Sequence, residues 1–263
     1  MTVTAVVDEI CARYLAAFDA RHPGRLTGLY LVGSIALGDF KPGRSDIDVV
    51  VVTSDPLALG DVEQVHTDLA TLHPRPSFDG LYVTEEELRS VPDGHGRGIA
   101  VIEGRPLDSS PAERHPVTWL TLARHGIACR GPAPSASWIA TDLSAARAYA
   151  RRNLVDYWRP WMESRRRLLS RAGWHGLSAG AVTWSILGIS RLHALLAEGR
   201  ILSKTGAGLY ALEAFPRHRA IIEVALAIRH DAAIDVAGGA MARRRAMLAL
   251  LDDIYADALG RSA

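Results

Sequence analysis

The chain is short of several things, and each shortage excludes something. Only two cysteines occur among its 263 residues, Cys11 and Cys129. They lie far apart without a metal-ligand spacing and make a poor disulfide framework, which fits a reducing compartment. Lysine occurs only at Lys41 and Lys204, so arginine carries nearly all the positive charge. The net charge of +1 declares no field for a nucleic acid, and none is expected as a partner. No apolar run approaches about 18 residues, so no membrane span is expected. The first residues lack the basic region of a secretory signal, and a cytoplasmic monomer is the expectation.

What is present belongs to a globular protein, with 48% hydrophobic and 22% charged residues. The length accommodates one large or two ordinary domains, each with its own core. The organising stretch is Leu29 to Thr53: an apolar run ending in Gly33-Ser34, a turn-rich patch from Lys41 to Arg44, and a second apolar run broken only by Asp46 and Asp48. This reads as strand, loop, strand, with a short helix starting at Ser34.

Ionised carboxylates in a strand need a partner or a metal. Strand side chains alternate, so Asp46 and Asp48 share a face. At roughly 3.3 Å per residue their α-carbons lie about 6.6 Å apart, so both can reach a pair of cations about 3.5–4 Å apart. Gly33 lets a phosphate approach the backbone, and Ser34 offers a hydroxyl and first-turn N–H groups to an anion.

Gly33-Ser34, the spacer glycine Gly38, and Asp46-Ile47-Asp48 preceded by Ser45 together resemble the signature of the polymerase-β-type nucleotidyltransferase superfamily. The resemblance implies that Asp46 and Asp48 hold Mg²⁺ and that Gly33, Ser34 and Ser45 bind phosphate oxygens of ATP. It also implies an acid on a neighbouring strand that completes the metal site or takes the acceptor's proton. Asp79, in the apolar run from Ser77 to Val83, is the candidate. Glu85, Glu86 and Glu87 are rivals ranked lower, because they precede Leu88 as the first turn of a short helix, where negative charge suits the dipole.

Elsewhere in the first half, the periodicity predicts helices over 3–21 and 57–72, the latter closed by His73-Pro74. Residues 89–116 read as loop with a possible edge strand at Ile99 to Ile102, a place to hold an acceptor. Val117 to Cys129 reads as strand or short helix. After Pro134 the pattern is helical throughout, with runs over 142–171, 179–198, 204–214, 217–230 and 238–259. The expected class is α+β: a mixed sheet with flanking helices in a nucleotidyltransferase domain over 1–134, then an α-helical bundle over 135–263.

That architecture, with Leu120-Thr121-Leu122-Ala123-Arg124-His125-Gly126 leading to Arg130-Gly131-Pro132-Ala133 and with Leu187 to Leu192 followed by Gly199 to Lys204, resembles the aminoglycoside 3''-adenylyltransferase family. The resemblance implies that Arg191 and Lys204 bind the nucleotide's phosphates and that Trp174 contacts an aminoglycoside-like acceptor. The family's acid near the start of the second bundle helix has no counterpart, since Gly176 to Trp184 contains no acid. The implied activity is Mg²⁺-dependent transfer of AMP from ATP to a small-molecule hydroxyl. Alternatives are a different small molecule or a protein hydroxyl as acceptor, and a catalytically idle nucleotide-binding protein.

Overall fold

The computed structural model describes residues 3–73, 75–232 and 239–260. Pro74, expected to close a helix, and Gly238, expected to open the last one, lie outside the described residues. The chain divides into two compact units, Met1–Ala146 and Arg147–Ala263.

The first unit holds strands β1 (Leu26–Leu31), β2 (Ile47–Thr53), β3 (Phe78–Thr84), β4 (Gly98–Ile102), β5 (Arg105–Ser110) and β6 (Ile127–Arg130). Its helices are α1 (Val3–Arg21), α2 (Gly33–Ala36), α3 (Leu59–Leu72), α4 (Glu85–Leu88) and α5 (Pro116–His125). The strands form one mixed sheet in the order β5-β4-β3-β2-β1-β6. β2 and β3 run parallel, and the other neighbours are antiparallel.

Strand alternation sorts the sheet's side chains into two cores. Ile47, Val49, Val51 and Tyr82 pack under α1 and α3 with Ile10, Tyr14, Phe18 and Val65. Val50, Val52, Leu81 and Val83 pack on the opposite face with Trp119 and Leu122 of α5. The run of β-branched residues in β2 suits a strand covered on both sides. Its pairing with β3 requires Gly80, where a β-carbon would stand 2.0 Å from the Val49 carbonyl oxygen.

Two elements differ from the sequence reading. β5 lies inside the expected loop: Glu103 and Gly104 form a two-residue turn with φ of 52° and 73° that closes a β4–β5 hairpin. The segment 117–129 is both helix and strand, with α5 capped by His115, Pro116 opening it, and Gly126 ending it before β6. The two cysteines, distant in sequence, meet where α1 packs beside β6 as a hydrogen-bonded pair of free thiols. Burial and its neighbour raise the Cys11 thiol, while the bond from Cys11 lowers Cys129.

The compact unit ends after Ala146 rather than after Pro134. Ile139 is fully buried among Trp119 and Leu122, Trp138 packs on Tyr30 with ring centroids 5.8 Å apart, and the Ala140 N–H donates to the Leu88 carbonyl at 2.7 Å. These contacts keep the linking segment on the sheet.

The unit boundary falls within α6 (Leu143–Asn153), and the second unit goes on with a π-helical turn (Leu154–Trp158), α7 (Arg159–Arg166), α8 (Arg171–His175), α9 (Ala179–Glu198), α10 (Lys204–Ala214), α11 (Arg219–Arg229) and α12 (Gly239–Gly260). The expected single helix over 142–171 is thus broken. Pro160 lacks an N–H and its ring excludes the Asp156 carbonyl from the α-helical ladder, which accounts for the π-helical turn just before it. Helix α9 is long and apolar enough to cross a membrane by length and composition. Its Val182, Ile186, Leu187 and Ile189 are fully buried against Ile222, Met247 and Leu251, as in the central helix of a bundle.

Between α1, α3 and β3 lies a buried polar chain. The Tyr14 and Tyr82 hydroxyls are 2.6 Å apart, and His66 Nε2 is 2.8 Å from the Tyr82 oxygen. Burial lowers His66 from 6.5 to about 4, so it stays neutral in the folded protein. An unfolded chain binds the proton first, so this contribution to stability is full above about pH 6.5 and is lost as pH falls toward 4. In paired denaturant titrations, the stability of wild type relative to His66→Gln is expected to shrink over that window by up to about 1.4 kcal/mol per pH unit.

Candidate active site

The acids gather because of the β2–β3 register. Asp48 lies directly opposite Asp79, as Val50 lies opposite Leu81. Alternation puts Asp48 and Asp79 on the α5 face, just beyond the apolar residues that pack there. Asp46 precedes the strand by one residue and accepts a hydrogen bond from the Ser77 hydroxyl at 2.7 Å. Arg75 stands 3.8 Å from the same carboxylate in an exposed pair of little energetic weight.

Gly33-Ser34 meets these acids from β1. Gly33 has φ of 58°, and a β-carbon there would fall 1.9 Å from an Asp48 carboxylate oxygen. Glycine is therefore demanded twice, by backbone conformation and by the carboxylate seated against it. The Ser34 backbone N–H donates to Asp48, while its hydroxyl is buried with no hydrogen-bond partner. The Ser45 hydroxyl accepts the Lys41 N–H at 3.0 Å, which closes the turn before β2.

Burial raises Asp48 to about 6, and the charges of Glu113, Asp79 and Asp46 push the same way against the Ser34 N–H. Asp79 is also raised by burial, opposed by the Gly104 and Glu103 N–H groups at 2.8 and 2.7 Å, one on each carboxylate oxygen. So many like charges around one buried carboxylate call for a cation. Among the described residues no three His, Cys, Asp or Glu side chains converge to hold a metal ion by themselves. Mg²⁺ takes one or two carboxylates and completes its shell with water and substrate phosphates. Asp46, Asp48 and the buried, unpartnered Ser34 hydroxyl fit such an arrangement.

The sequence reading missed Glu113. It sits between β5 and α5 with φ of 59°, strained for a residue with a β-carbon. Thr118 donates to its Oε2 at 3.1 Å, and His115 Nε2 is 3.6 Å away. The signal available was an acid and a histidine just before Pro116, inside the loop already expected to lie beside the site. Glu85 and Glu87 lie in α4 as expected, with a capping box joining Thr84 and Glu87.

Arg191, Lys204 and Trp174 belong to the second unit. Arg191 Nε donates to the Leu202 carbonyl at 2.9 Å, which brings α9 against the start of α10. Lys204 opens α10 behind the Ser203 cap, a helix end whose dipole favours anions. Trp174, in α8, is 68% exposed.

Residues 11–93 match the family model of a nucleotidyltransferase domain. The chain carries a nucleotidyltransferase domain. Gly33, Ser34, Asp46, Asp48 and Asp79 all lie within the matched span, and nucleotidyl transfer is the chemistry of such a domain. No curated protein sequence matches. A solved structure of the spectinomycin adenyltransferase AAD(9) from Enterococcus faecialis with ATP and spectinomycin is similar in fold, with a TM-score of 0.69 at 16% identity over 93% of this chain and 98% of that one.

Within the nucleotidyltransferase domain, Gly33→Ala is expected to displace Asp48 and lower kcat/KM by at least about 100-fold, with circular dichroism unchanged, since misplacement of about 1 Å can cost that much.

Proposed function

We propose that the protein transfers AMP from ATP to a hydroxyl of a small, aminoglycoside-like molecule, with Mg²⁺ as cofactor. The observation that carries this reading is the pairing of Asp48 with Asp79 on one sheet face, with Asp46 just before β2 and Gly33-Ser34 against Asp48. The solved structure of similar fold contains ATP and spectinomycin, which supports the choice of donor and acceptor class.

Asp46 and Asp48 would hold Mg²⁺, with Asp79 as the third acid beside them. Bound there, Mg²⁺ would neutralise triphosphate charge and stabilise the departing pyrophosphate. The Ser34 hydroxyl has its donor available for a phosphate oxygen, and Gly33 leaves the backbone bare for close approach. Ser45 is proposed to act on phosphate through its hydroxyl proton, since its oxygen already accepts from Lys41. Arg191 and Lys204 are proposed as phosphate-binding cations, and Trp174 as an aromatic surface for the acceptor. The absence of any acid from Gly176 to Trp184 points to an acceptor held differently from those of the adenylyltransferase family.

Purified protein with Mg²⁺ and ATP labelled in the α-phosphate is expected to label an aminoglycoside from a panel and release pyrophosphate. Label appearing only in protein of an added lysate would replace the acceptor class, and binding without pyrophosphate release would overturn transfer altogether. Asp48→Asn should abolish turnover and leave the melting curve cooperative. Lys204→Ala should raise KM for ATP about tenfold or more, as loss of a charge-assisted phosphate contact predicts, with little change in stability.

A further inference from the structure

We propose that Cys11 and Cys129 are an oxidation-sensitive staple: a small-molecule disulfide converts them to an intramolecular disulfide between α1 and β6, and a thiol reductant reopens it. The inference is independent of the nucleotidyl-transfer chemistry.

The edge of the sheet aims the second cysteine. Strand β6 pairs with β1 as Leu29 with Arg130, Tyr30 with Ala128 and Leu31 with Ile127, so Cys129 is the extra residue of a bulge. In an unbroken ladder Cys129 would stand opposite Tyr30 and share its face, the side that packs with α5. A bulge sets two successive residues against one partner and re-aims a side chain. Here both successive side chains reach toward α1. Arg130 donates to the two carboxylate oxygens of Asp19 at 2.7 and 2.6 Å, and Cys129 packs against the cluster that holds Leu29, Tyr14 and Cys11.

The first cysteine lies on the buried face of α1, with Val7, Ile10, Tyr14 and Phe18. Its thiol donates to the Cys129 sulfur, so the two sulfur atoms are in hydrogen-bond contact before any oxidation. Their surroundings set the order of reaction. Cys11 is 4% exposed, and its thiol is raised by the hydrogen bond it donates and by burial. Cys129 is half-buried on an edge strand, and the bond it accepts from Cys11 lowers it. The accessible, more acidic thiol attacks, and the buried one resolves.

In the first step the Cys129 thiolate bonds to one sulfur of the small disulfide and expels the other half as a thiolate, which takes up the proton that Cys129 released. Cys11 then bonds to the Cys129 sulfur, and its proton goes to the second departing thiolate. Two protein thiols are oxidised, and one small disulfide is reduced to two thiols.

The staple would act where the sheet is weakest. β6 has four residues and is joined to the sheet on one side only. Such an edge is the kind of segment that opens locally. The bond would close a loop of chain spanning most of the first unit, which removes freedom from its unfolded ensemble.

After incubation with oxidised glutathione, the full-length protein is expected to lose both titratable thiols and to carry no glutathione by intact mass. Its apparent melting temperature should rise by at least about 5 °C, and dithiothreitol should reverse all three changes. Cys11→Ser should stop at the mixed disulfide and keep glutathione on Cys129, whereas Cys129→Ser should leave the buried Cys11 unreacted. A wild-type protein that keeps two free thiols, retains glutathione or links into dimers would overturn the proposal, as would a disulfide that forms without raising the melting temperature. The wild-type masses and melting curves decide the matter even if Cys11→Ser fails to fold.

Discussion

The parallel pairing of β2 with β3 is the constraint on which the site depends. It sets Asp48 opposite Asp79, and it does so only because Gly80 offers no β-carbon to the Val49 carbonyl. The same ladder puts Val50 opposite Leu81 and Val52 opposite Val83, so the apolar residues under α5 fix the register of the acids beyond them. A slip of one residue would turn the whole set to the other face. Packing of valines is therefore what aims the carboxylates.

Around that register the polar groups follow an electrostatic logic. Asp48 is pressed by its own burial and by Glu113, Asp79 and Asp46, and is relieved by the Ser34 N–H. Asp79 is relieved by two amides of a hairpin turn. Asp46 takes the Ser77 hydroxyl. Each acid is held by local hydrogen-bond donors, and none of them removes the negative charge. Burial and like charge together raise Asp48, and Arg75, exposed and 3.8 Å from Asp46, does little to offset them.

Much of this was legible in the chain because it rests on short-range rules. Glycine before a serine, aspartates two apart in a run of valines, and Pro or Gly at helix ends carry their meaning locally, and the bounds of α9 and α10 fall where the periodicity put them. The hairpin around Glu103-Gly104 was not legible, since Arg105 to Ser110 shows no apolar alternation and is a largely exposed edge strand. The same lack of local pattern hid Glu113, whose nearness to Asp48 depends on Arg114 reaching β3 from a distant part of the chain. The meeting of Cys11 with Cys129 is of this kind too, a consequence of α1 lying beside β6.

By itself the sequence determined the elements that periodicity and turn chemistry govern, the α+β order of those elements, and the glycine, serine and aspartates that make up the candidate site. Tertiary structure decided which acid faces which, that Asp79 is clamped by a turn, that Glu113 joins the group, and that the compact unit extends past Pro134 to Ala146. The physical reason is range: propensity and alternation act over a few residues, whereas the position of one carboxylate beside another is set by strand register and loop packing between segments far apart in the chain.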